Sequence, residues 1–283
     1  MRTILSHQIA ILLFLFSWTV YGLMTKMSDI NYYGLYQVGA ESLVEYNTYT
    51  LGHSVVPGWK DAGDGDVFEY RHQRFPAKQP GAFFVTATPY FFLHHFFGMS
   101  FLNARDKVSA LNAWLSGALF TAATVALFYE LLQLMGYVIE VSMITTFGLA
   151  FCTILLPYSG VPHHDLMATF CTLMGFFFLI RFRQTQSILD YRSAGSWLGL
   201  TLFFSMLPAL IVGLIGIYGI TLSRKIKDWF HLALGFLIGY LPLGLLTLII
   251  FTIHLNKPIR LEIIETLFLS YRWLSCANTF MII

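Results

Sequence analysis

Two carboxylates in this sequence stand next to apolar runs, with Asp29 following the first run and Asp165 opening a later one. A carboxylate held beside a reacting hydroxyl works as a general base, and two that converge can hold a divalent metal. Between them in the chain lies RHQRFPAKQPG, which carries Arg71, Arg74 and Lys78. Lys78 stands between Pro76 and Pro80, which restrict the backbone around it, and a compact ammonium suits a phosphate oxygen. The same cations also suit snorkelling to lipid headgroups. Asp165 equally suits capping the helix that it precedes. The pairs His94-His95 and His163-His164 add metal-ligating atoms, but adjacent residues on a helix diverge in direction, which counts against a histidine metal site. Asp61, Asp64, Asp66 and Glu69 fail the calcium-loop spacing and read as a solvated turn.

The elements that must position these groups are membrane spans. Of the 283 residues 57% are apolar and 11% charged, where soluble domains carry about 25% charged residues. So few charges cannot cover a soluble globule. A span needs about 20 mostly apolar residues. The first is expected at about 8 to 24, uncleaved because no small-x-small site ends it. Others are expected at about 108–132, 138–157, 166–181, 194–207, 208–222 and 229–252, the pair 194–207 and 208–222 meeting at Pro208. The three cysteines, Cys152, Cys171 and Cys276, form no motif.

Lys and Arg near span ends set orientation. Arg181, Arg183 and Arg192 fall in one short loop and Arg224, Lys225 and Lys227 in another, so both are expected on the cytoplasmic side with Arg2. That parity holds only if the apolar stretch 81–97 is re-entrant or interfacial. The large loop 25–107 and the turn at His163 to Asp165 then share the extracytoplasmic face. Within that loop Asp29 to Tyr46 has Leu35, Val38 and Leu43 at helical spacing, as an interfacial helix would. Val67 to Phe75 alternates after a turn-forming cluster and predicts a small hairpin.

Three stretches together resemble a known family. SDINYYGLYQVGAESLVEYNTY, AKQPGAFFVTATPYFF and HHDLMATFCTLMGFFFL are similar to the Asp-Glu-x-x-Tyr stretch, the Lys-Pro-Pro loop and the Asp-x-Leu-Leu span start of GT-C membrane glycosyltransferases. The resemblance is to the dolichyl-phosphate-mannose protein mannosyltransferase-like group, which includes the aminoarabinose transferases. It covers about residues 20 to 180, with Ile30 in place of the second acidic residue and Gln79 in place of the first proline. The resemblance implies an all-α polytopic GT-C-like module in a bacterial or archaeal plasma membrane, facing outward. It implies transfer of a sugar from a polyprenyl-phosphate donor to a hydroxyl of a lipid, protein or glycan acceptor. Asp29 would be the base and Asp165 would orient the site or hold a divalent ion, the one cofactor the carboxylates allow. Lys78, with Arg71, Arg74 and Tyr33, would bind the donor; no nucleic acid is implied. Such proteins run on beyond their last span here, so a C-terminally shortened chain is expected. The competing reading is a transporter or non-catalytic membrane scaffold, which the break at Pro208 permits.

Overall fold

Apolar runs become helices because a backbone in lipid must satisfy its own hydrogen bonds. The computed structural model describes residues 2–25, 34–59, 66–70 and 72–254, which fold as an all-α membrane protein with one small hairpin. The helices are α1 (Arg2–Leu23), α2 (Gly34–Glu45), α3 (Gly81–Phe97), α4 (Phe101–Ala113), α5 (Leu119–Leu134), α6 (Ile139–Phe151), α7 (Leu155–Tyr158), α8 (His164–Thr185), α9 (Ile188–Phe204), α10 (Ala209–Thr221) and α11 (Ile226–His254). Strands β1 (Val67–Tyr70) and β2 (Gln73–Pro76) pair antiparallel where a hairpin is predicted. A π-helical turn, Trp114–Ala118, joins α4 to α5. Among the described residues, four stretches are long and apolar enough to cross a membrane: Ser6–Leu23, Phe101–Leu134, His164–Thr185 and Ile226–Leu248. The chain divides into two units, Met1–Leu243 and Gly244–Ile283, and the packing below lies within the first.

Contacts at the helix termini show which ends lie together. His7 Nδ1 is 2.7 Å from Glu130 Oε1, and Gln184 donates to the Leu134 carbonyl at 2.6 Å. The start of α1 therefore shares an end of the bundle with the close of α5 and of α8. Tyr191 donates to the Gly219 carbonyl at 3.0 Å, and Arg192 lies 3.3 Å from His231, which brings the close of α10 and the start of α11 to that same end. Arg181, Arg183 and Arg192 thus gather with the loop that holds Arg224, Lys225 and Lys227. At the opposite end, a Cβ on Gly160 would fall 2.3 Å from the Met24 carbonyl oxygen, and one on Gly117 2.1 Å from that of Val161. Residues 24 to 117 therefore leave and return at one end. Gly81, which opens α3, meets Phe203 near the close of α9 at that end.

Side chains lock this arrangement. Trp18 and Trp114 each donate an indole N–H to the other's backbone carbonyl at 3.1 Å, with their rings stacked 5.0 Å apart. Gly22 makes room for them, since a Cβ there would lie 2.4 Å from Trp114 Nε1. The long apolar faces left outside, among them Leu210, Leu214 and Ile217 on α10 and Phe230, Leu234 and Leu237 on α11, suit lipid rather than water.

Two elements depart from expectation. The predicted interfacial helix forms as α2, yet every residue from Gly34 to Ser42 is buried, so no face of that stretch is left for a membrane surface. Its polar groups find partners inside: Asn112 donates to Gln37 Oε1 at 2.6 Å, and Gln37 donates to the Ser109 carbonyl at 3.2 Å. The run 138–157 is not one helix either, because α6 stops at Phe151 and a bend precedes the short α7.

Candidate functional site

The end of the bundle opposite the basic loops holds a polar cluster. Its centre is His163, His164 and Asp165, whose ligating atoms all lie within 4.8 Å of one another. The expectation that adjacent histidines diverge fails here for a backbone reason. His163 is not on the helix: it is extended, at φ −133 and ψ 131, and caps α8, its Nδ1 accepting the Asp165 N–H at 3.2 Å. Its ring therefore escapes the roughly 100° step between helical neighbours and stacks on His164 at 4.5 Å. Asp165 is consequently not the cap. It sits in the first turn of α8, where the helix dipole favours its negative charge. The other pair behaves as expected, with His94 turned toward Glu45 and His95 toward the Phe91 carbonyl.

The segment carrying this cluster is fixed by backbone contact. The π-helical turn places Gly117 where the Val161 carbonyl and Pro162 come in, and Gly160 abuts Met24 and Thr25. A side chain at either glycine would push the 158–163 segment away. From the other side, the Tyr36 hydroxyl of α2 hydrogen-bonds His164 Nδ1, and the Tyr36 ring packs 4.9 Å from Phe83 of α3. Gly39 admits that helix pair, since a Cβ there would lie 2.2 Å from the Phe83 ring. His164 Nε2 then faces Asp165 Oδ1 at 3.3 Å, and His163 Nδ1 lies 3.7 Å from Asp165 Oδ2.

Lys78 belongs to the same neighbourhood. Its ammonium is 2.9 Å from Asp66 Oδ1. Asp66 is buried, where a solvated turn is predicted, because β1 begins beside it and its carbonyl accepts the Ala77 N–H at 2.7 Å. Burial pushes the Tyr36 hydroxyl pKa up, and the carboxylates of Asp165 and Asp66 push it further. Burial lowers the His163 pKa; Asp165 opposes that shift, while Lys78 adds to it. The Asp66–Lys78 pair therefore lies within the electrostatic neighbourhood of the cluster.

Of the residues singled out in the sequence, Asp165 and Lys78 therefore lie in one neighbourhood, Lys78 paired with Asp66 and Asp165 with the two histidines. Arg74 is half-buried on β2, where its carbonyl accepts the Leu51 N–H at 2.7 Å, one side of an antiparallel bridge. Asp29, Tyr33 and Arg71 lie outside the described residues. Sequence reasoning missed Tyr36 and Asp66 as members of the site. Tyr36 carried a signal only in lying within the same stretch as Asp29 and Tyr33.

No protein-family model matches the chain, and neither curated proteins nor solved structures provide a match.

Proposed function

We propose that this cluster is the active site of a membrane glycosyltransferase, which moves a sugar from a polyprenyl-phosphate donor to an acceptor hydroxyl on the extracytoplasmic side. The observation that supports this reading most is that the Asp66–Lys78 ion pair, on the loops flanking the hairpin, and the His163–Asp165 cluster, at the start of α8, share the end of the bundle away from the basic loops. Basic loops stay cytoplasmic, so the opposite end faces outward. A lipid phosphate is a weakly basic leaving group that asks for charge neutralisation rather than a strong acid. Lys78 supplies positive charge there, and its contact with Asp66 sets the direction of the ammonium. The exposed aromatic residues of α3, Phe84, Phe91 and Phe92, give a polyprenyl chain an apolar surface.

In this reading Asp29 removes the acceptor proton and the sugar inverts. Asp165 orients the reacting groups. The test is sugar transfer by the full chain in lipid vesicles, using a synthetic polyprenyl-phosphate hexose and measuring release of polyprenyl phosphate. Asp29→Asn should lower turnover by about 10²-fold or more with little loss of donor binding. Lys78→Ala should weaken donor binding itself. Donor affinity unchanged in Lys78→Ala, or near-normal transfer in Asp29→Asn, would remove the residue concerned from its role.

A further inference from the structure

The Asp165 carboxylate is unevenly placed. Its side chain is 41% exposed as a whole, yet Oδ1 is fully buried and has no hydrogen-bond partner among the described residues. A buried carboxylate oxygen without a donor is costly, and such groups call for an ion or a proton beside them. His164 Nε2 lies 3.3 Å away but does not serve as its hydrogen-bond donor. The other nitrogen of that ring is already held by the Tyr36 hydroxyl.

We propose that His163, His164 and Asp165 form a binding site for a divalent transition-metal ion of the zinc type. Two imidazoles and one carboxylate are a borderline-soft N,N,O donor set, which suits such an ion better than calcium or magnesium. A tetrahedral shell with bonds of about 2.0 Å has edges of about 3.3 Å, and the His164 Nε2 to Asp165 Oδ1 separation already has that length. His163 completes the set, with all ligating atoms within 4.8 Å. Tyr36 is the outer-shell partner that metal-bound histidines characteristically have: with Nδ1–H directed at the Tyr36 oxygen, the Nε2 lone pair faces the carboxylate. The exposed side of Asp165 leaves a fourth position open to water or to a substrate oxygen. This site overlaps the transferase site, but the inference needs none of that chemistry, so metal binding and sugar transfer are measured separately.

The test titrates Co²⁺, then competing Zn²⁺, into the untagged full chain in detergent after chelator treatment, and follows the visible d–d absorption of a tetrahedral site. One equivalent per chain should bind, and Zn²⁺ should displace it. His163→Ala/His164→Ala/Asp165→Asn should abolish the signal, and Asp165→Asn alone, which keeps size and shape, should weaken it. Tyr36→Phe should lower affinity by about 10- to 100-fold. His94→Ala/His95→Ala should leave binding intact. The proposal is overturned if the unaltered chain takes up no tetrahedral Co²⁺, or if Asp165→Asn and Tyr36→Phe bind it as tightly as the unaltered chain. Loss of binding in the His94/His95 variant with retention in the Asp165 variant would overturn it as well.

Discussion

Glu41 on α2 is 1% exposed, and its Oε2 has no hydrogen-bond partner among the described residues. Burial raises its pKa from 4.5 to about 7; a Ser54 hydrogen bond opposes the shift and the Glu45 charge adds to it. A carboxyl whose folded-state pKa is raised binds its proton more tightly when folded, so its stabilisation is present at low pH and is lost as pH rises from about 4.5 to about 7. The size is roughly 3 kcal/mol. Glu41→Gln should therefore flatten the fall of the thermal midpoint across that window and leave the variant more stable than the parent at pH 8. An unchanged pH profile, measured by thermal unfolding in detergent, would mean that Glu41 reaches solvent. The Asp66–Lys78 pair makes a second prediction at this scale, because its carboxylate is buried and its ammonium partly so. Lys78→Met leaves a buried charge without this ammonium and should destabilise by about 3 kcal/mol. Adding Asp66→Asn should restore part of that loss, giving a coupling of about 1 kcal/mol or more. Additive effects would show that the two charges do not depend on each other.

At the level of elements, α9 and α11 approach so closely that only glycine fits between them. A Cβ on Gly235 would lie 2.0 Å from the Arg192 carbonyl oxygen, and one on Gly239 1.9 Å from that of Ser196. On the facing helix, Gly195 and Gly199 stand in the same relation to the carbonyls of Leu232 and Phe236. Small residues spaced by four let helix backbones meet in lipid, where no hydrophobic force drives helices together. Gly239→Leu should separate α11 from α9 and lower the thermal midpoint sharply. Gly213→Ala and Gly216→Ala on α10 meet nothing within 4 Å, so they should be neutral or stabilising by up to about 1 kcal/mol. Equal effects at the two sets of positions would sink the packing argument. The spacing was visible in the sequence at Gly195, Gly199, Gly235 and Gly239. Which two helices it joined was not, because the spacing marks a face and not its partner.

At the scale of the whole molecule, the polar cluster and the basic loops occupy opposite ends of α8, whose 22 residues rise about 33 Å. Single cysteines in a cysteine-free background test what that separation means in a membrane. A cysteine replacing Gln73 should react with an impermeant maleimide only from outside, and one replacing Gln186 only from inside; labelling of both from one side would sink the outward-facing site. This two-ended layout was largely legible in the sequence, because span length, basic flanks and a local turn signal are properties of neighbouring residues. Apolar runs predict helices near α1, α5 and α8, and alternation after a turn predicts the β1–β2 pair. The burial of α2 was not legible. Leu35, Val38 and Leu43 mark one apolar face, while what covers Gln37 and Glu41 comes from distant segments. Nor was the joining of Tyr36, Asp66 and Lys78 to His163, His164 and Asp165. That juxtaposition depends on the extended backbone at His163 and on the close approaches at Gly39, Gly117 and Gly160. Local pattern fixes which residues are helical and which are apolar, but the rotation and depth of one helix against another follow from contacts between residues far apart in the chain, and only the tertiary structure decides those.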